Sequence, residues 1–95
     1  MSAKEHYFLR NPDIILKDVS EEGALIEDPD SCLKKQINRT GLFIWDLCDG
    51  AHSFGDIIHA IKDTYEGVPG KSAERSVKAF LDDLIIDGFI GVYEE

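Results

Sequence analysis

The residues with the most chemistry in reserve are two cysteines and three histidines, and their spacing assigns them none. Cys32 and Cys48 stand far apart with no CxxC pair, and His6, His52 and His59 are scattered along the chain. A structural zinc site draws four ligands from two tight pairs, and an iron–sulfur cluster takes four thiolates, so neither is expected and no metal or cofactor is called for. In a reducing compartment the two thiols read as free cysteines. Catalysis has no better footing. There is no Gly-rich loop opening a helix, no HExxH and no GxSxG. Asp82 and Asp83 are neighbours in sequence, yet on a helix their side chains diverge by about 100° and cannot work as an acid/base pair. His59 lies beside the apolar stripe of a predicted helix and is expected to be a partly buried structural residue. No catalytic residue is assigned.

The charges bound the partners. Nineteen acidic residues against ten basic ones give a formal charge of −9 over 95 residues. A surface this acidic repels phosphate backbones and anionic lipid heads. The longest apolar runs, such as Leu84-Ile85-Ile86, fall far short of the roughly 20 residues a membrane span needs. The opening Met1-Ser2-Ala3-Lys4-Glu5-His6 carries no apolar signal-peptide core, so a cytoplasmic protein is expected. The length fits one domain over residues 1–95, with residues 1–10 expected as a flexible arm.

The elements that must position any site begin with strands. Asp13–Val19 is apolar and β-branched after Pro12, Glu21-Glu22-Gly23 reads as a turn, and Ala24–Glu27 as a second strand. Asp28-Pro29-Asp30-Ser31 is a turn with proline at its favoured second position. A third strand follows at Cys32–Ile37, its alternation placing Leu33 and Ile37 on one face and Cys32, Lys34 and Gln36 on the other. Such a meander is marginal alone and needs a cover. Three helices supply it. The first runs from about Arg39 to Cys48, capped by Asn38 and ended by Gly50. The second starts at the cap Ser53 and ends before Gly67-Val68-Pro69-Gly70. The third is capped by Ser72 and stopped by Gly88, before a short extended piece at Phe89–Tyr93. The fold class predicted is α+β, a three-stranded antiparallel meander followed by a three-helix bundle, in the manner of a winged helix-turn-helix.

Winged helices commonly bind DNA, and the third helix would be the reader. From Ala73 to Asp87 it carries Arg75 and Lys78 against Glu74, Asp82, Asp83 and Asp87, two bases against four acids. Base readers and phosphate contacts need local positive charge, so the charge argues against nucleic acid where the architecture argues for it. A DNA-binding regulator stays as the alternative function, and an interaction domain of another kind as a third.

One constellation is more specific. The run Asn38-Arg39-Thr40-Gly41-Leu42-Phe43-Ile44-Trp45-Asp46-Leu47-Cys48-Asp49-Gly50 resembles the PqqD family, small proteins of pyrroloquinoline quinone biosynthesis whose fold recurs as the precursor-recognition element of peptide-modifying systems. The likeness continues through Ser53-Phe54-Gly55-Asp56-Ile57-Ile58, then Val77–Leu84 and Asp87-Gly88-Phe89-Ile90. Leu33-Lys34-Lys35-Gln36-Ile37 departs from it, since relatives more often carry aromatic and aliphatic residues there.

The resemblance implies a non-catalytic adaptor. It would hold the leader of a ribosomally made precursor peptide and present the rest to a modifying enzyme, a radical S-adenosylmethionine protein. In such proteins the leader adds as a strand beside the third strand, where main-chain pairing gives affinity and side-chain pockets give selectivity. The edge here would be Cys32, Leu33, Lys34, Lys35 and Gln36, with the two lysines offered to an acidic leader or merely guarding the edge. On the third helix Ser76, Phe80, Asp83 and Asp87 share one border of the apolar face and would form the opposite wall.

Overall fold

The computed structural model describes residues 5–65 and 70–94. Among the described residues six strands and three helices follow in the order β1 (His6–Arg10), β2 (Ile15–Ser20), β3 (Gly23–Asp28), β4 (Leu33–Asn38), α1 (Arg39–Leu47), β5 (Asp49–Ser53), α2 (Phe54–Thr64), α3 (Gly70–Ile86) and β6 (Ile90–Glu94). This is the α+β architecture that the sequence predicts, with the meander β2-β3-β4 as one antiparallel sheet.

A second sheet, in the order β5-β1-β6, was not legible beforehand. It corrects part of the arm expected at residues 1–10: His6–Arg10 is the central strand of this sheet, paired with β6 from His6↔Glu94 to Arg10↔Ile90, and residues 1–4 lie outside the described residues. The reason is alternation, which sends Phe8 into the core while Leu9 stays half exposed. β5, with the unpromising sequence Asp-Gly-Ala-His-Ser, pairs with β1 at only two positions, Tyr7↔Ser53 and Leu9↔Asp49.

The core forms where the meander meets the helices. Ala24 and Ile26 of β3 and Ile37 of β4 are buried against Ile44 and Trp45 of α1, and Ile57 and Ile61 of α2 meet Val77, Leu81 and Leu84 of α3. Several boundaries differ from expectation for local reasons. Asn38 does cap α1, its side-chain oxygen accepting from the Gly41 amide at 2.7 Å. The helix ends at Cys48 rather than Gly50, which lies inside β5 at φ +83°. Ser53 and Asp56 form a reciprocal capping box that starts α2. Ser72 caps nothing, because α3 already begins at Gly70; positions 67–69 of the expected breaker lie outside the described residues. At the far end Gly88 takes φ +82°, and the Gly88 and Phe89 amides donate to Ile85 and Leu84. This is a Schellman stop, in which Phe89 packs back into the core.

Candidate functional site

β4 is an edge strand with a regular ladder on one side only. Six consecutive pairs, from Gly23↔Asn38 to Asp28↔Leu33, bind it to β3, and among the described residues no other strand lies beyond it. Alternate backbone amides and carbonyls of β4 therefore point away from the sheet. The opposite edge of this sheet is built differently. β2 slips register between Lys17 and Ser20, where Asp18 adopts φ 53°, so its outer edge is interrupted.

The two lysines of β4 face opposite sides. Lys35 stands across from Ile26, which is fully buried, and so lies on the core face with Ile37; it is itself half-buried. Lys34 stands across from Glu27 on the outer face. Glu27 also accepts a hydrogen bond from Lys17, which holds its carboxyl below the ordinary value, with Lys34 adding to the effect. Lys34 thus has an acidic neighbour, whereas Lys35 forms no ion pair among the described residues. Gln36 is exposed on the outer face, and Leu33 is 44% exposed at the start of the strand.

Cys32 is not part of this edge. It adopts φ 63° in the turn before β4, and its amide donates to the Asp28 carbonyl at 2.8 Å. The expected start of the strand is corrected by one residue, because that turn needs a left-handed residue to close.

Beside the Asn38 end of β4 an open groove of about 340 Å³ runs between α1 and α3. Gly41, Ile44, Tyr65, Val77 and Phe80 give it an apolar floor, and Asn38, Ser72 and Ser76 a neutral rim. The absence of a side chain at Gly41 is what permits the approach. A Cβ there would stand 3.1 Å from Phe80 Cε1 and 3.2 Å from Ile37 Cβ. The structure therefore brings Ser76 and Phe80 to the groove, as their helical spacing suggests. Asp83 and Asp87 continue the same flank of α3 without lining it. The sequence reading missed Asn38, Thr40, Gly41 and Tyr65 as groove residues. Asn38 is legible as a helix cap, and nothing in the residue types of Thr40, Gly41 or Tyr65 announces a pocket.

A second groove of about 340 Å³ flanks the other side of α3, where Phe8 and Val92 face Leu81 and Ile85. It had no sequence signal.

The remaining candidates have structural surroundings. Cys48 is fully buried, its thiol donating to the Ile44 carbonyl, and burial pushes its pKa up to about 12. Its burial is consistent with the free-thiol reading, and Cys32 is exposed. His59 corrects its expectation: its side chain is 80% exposed and its imidazole reaches Asp63 at 3.4 Å. No group of three or more metal-ligating side chains occurs among the described residues, and no helix there is long and apolar enough to cross a membrane.

Comparison with known proteins places this architecture. A solved structure described as TbiB1 in complex with the TbiA(beta) leader peptide superposes with a TM-score of 0.75, covering 86% of this chain and 93% of that one at 17% identity. A lasso peptide synthetase B1 complexed with its leader peptide gives a TM-score of 0.71 at 29% identity, covering 88% and 96%. No curated protein matches the sequence. The family model described as coenzyme PQQ synthesis protein D matches residues 33–90, from the first residue of β4 to the first of β6, which is more than half of the chain, and the chain belongs to the PqqD family.

Proposed function

We propose that this chain is a non-catalytic adaptor that binds the leader of a ribosomally synthesised precursor peptide as an added strand on β4. It then offers the remainder of the precursor to a modifying enzyme, a radical S-adenosylmethionine protein with its own iron–sulfur chemistry. The observation that carries the reading is the juxtaposition of an uninterrupted open edge at β4 with an apolar groove against α3. An extended peptide gains main-chain hydrogen bonds from the edge and buries a side chain in the groove. The two similar structures, both solved with leader peptides, support the same reading. The site so defined comprises Leu33, Lys34, Lys35 and Gln36 on the strand and Ser76 and Phe80 at the groove, with Asp83 and Asp87 farther along the same flank.

The experiment is a titration of labelled leader peptide against proline variants. Proline removes a backbone donor, whereas alanine at the same position removes only a charge. Of Lys34→Pro and Lys35→Pro, the one whose amide points outward is expected to damage binding far more than its alanine counterpart does. Val92→Pro on β6, the other regular edge, serves as the control. Loss of binding in Val92→Pro alone would move the site to β6. Tight binding of duplex DNA at physiological salt, with no leader binding, would replace the adaptor by the regulator reading.

A further inference from the structure

The two lysines of β4 are chemically alike and structurally unlike, and this difference carries a statement about the ligand that rests on the strand-addition reading. Lys34 is directed to the outer face, opposite Glu27, whose carboxylate also serves Lys17. Lys35 is half-buried on the core face, one alternation away from Ile37. A Cβ on Gly41 would press on both Ile37 and Phe80, and Gly41, Phe80 and Asn38, the residue next to Ile37, line the groove. Side chains of an added strand alternate between the two faces as those of β4 do. The residue opposite Ile37 therefore enters the groove, and the residue two positions away stands opposite Lys35.

We infer that Lys35 is a specificity-determining residue that selects a carboxylate on the docked strand, two residues from its apolar anchor. Directly opposed side chains have Cβ atoms about 5 Å apart, well within reach of a lysine–carboxylate pair. Asp83 on α3 and Asp87 just past its end oppose this preference, and neither is within 4 Å of Lys35. The Lys35 ammonium reaches the opposed position directly, whereas Asp83 is exposed and its repulsion is damped by solvent, so the half-buried cation sets the sign. The ligand class is thus a peptide with an apolar residue and an Asp or Glu at a spacing of two, in the order set by its direction along β4.

The test is a displayed library of random peptides selected on the wild-type chain and on Lys35→Glu, Lys35→Met and Lys34→Glu, each checked for folding by circular dichroism. Wild type is expected to enrich the apolar-x-acidic spacing. A selected peptide should then bind about fivefold more tightly than its Glu→Gln twin at low salt, the difference shrinking as salt rises. Lys35→Met should erase the difference while keeping the anchor, Lys35→Glu should turn the preference to Lys or Arg, and Lys34→Glu, whatever it does to overall affinity, should leave the acidic position two residues from the anchor in place. Apolar anchors enriched without a charge preference, or a preference that survives Lys35→Met or follows Lys34, would overturn the role of Lys35 and leave peptide binding intact. Failure to enrich any peptide that the β4 proline variants release would overturn both.

Discussion

The Tyr93 hydroxyl donates to the Gly50 carbonyl, and in doing so ties β6 to β5 across the strand between them. The Tyr93 ring also stacks on Tyr7 of that central strand, with centroids 5.8 Å apart. Tyr93→Phe keeps the ring and loses the bond, so a destabilisation of about 0.5–1 kcal/mol is expected in chemical denaturation. Gly50→Ala should cost more, about 1–2 kcal/mol, because φ +83° disfavours a Cβ that would also meet the Tyr93 hydroxyl at 3.2 Å. Equal losses in the two variants would show that the backbone geometry at Gly50 matters less than the bond.

Gly41 separates fold from site. Alanine there improves helix propensity by up to about 1 kcal/mol yet presses on Phe80, Asn38 and Ile37. Phe80 also lines the groove, so a shift of its ring reshapes the groove. Stability should change by less than about 1 kcal/mol while peptide affinity falls at least about tenfold, a loss of about 1.4 kcal/mol. Parallel loss of melting temperature and affinity would place Gly41 in the core alone.

Acid should loosen the chain through its caps and pairs. Asp56 is held below the ordinary 3.8 mainly by hydrogen bonding from the Ser53 amide, and Asp49 mainly by His52. A carboxyl with a depressed folded-state pKa contributes stability that is complete above its unfolded value and lost as pH falls through the folded one. Melting temperature is therefore expected to hold from pH 7 to about 5 and to fall below about pH 4. Asp56→Asn should flatten that acid limb, and a melting temperature unchanged between pH 6 and pH 3 would contradict the argument.

The two cysteines should separate cleanly by reactivity. With Cys48 pushed up to about 12 and fully buried, a thiol reagent at pH 8 is expected to label Cys32 in the native chain and both residues in denaturant. Prompt native labelling of Cys48 would mean that α1 opens readily from β1, whose Arg10 guanidinium donates to the Trp45 and Asp46 carbonyls.

What could be read beforehand divides along local and long-range lines. The meander, the Asn38 and Ser53 caps and the Gly88 stop are each written in a few consecutive residues, and the structure has them all. The second sheet is not, because β1 becomes a strand only when β6, at the other end of the chain, lies beside it. The helix spacing of Ser76 and Phe80 placed them on a shared flank, and the structure puts both at the groove. The unequal surroundings of Lys34 and Lys35 were hidden because strand alternation gives opposite faces without saying which is covered. His59 was misplaced for a related reason: sitting beside an apolar stripe does not reveal how far that stripe extends.

The pairing of β1 with β6 sets a temporal order on the making of this protein. The meander and α1 draw on residues close in sequence and can assemble as soon as that stretch has left the ribosome. The ladder that joins His6 to Glu94 spans nearly the whole chain and must wait for the last strand. Until then Tyr7, Phe8 and Leu9 lack one neighbour, so a nascent chain exposes a ready-made template for mispairing. Once the ladder closes, the two ends of the described chain lie side by side, the geometry that lets a small domain be spliced into the loop of a larger protein without strain on its host.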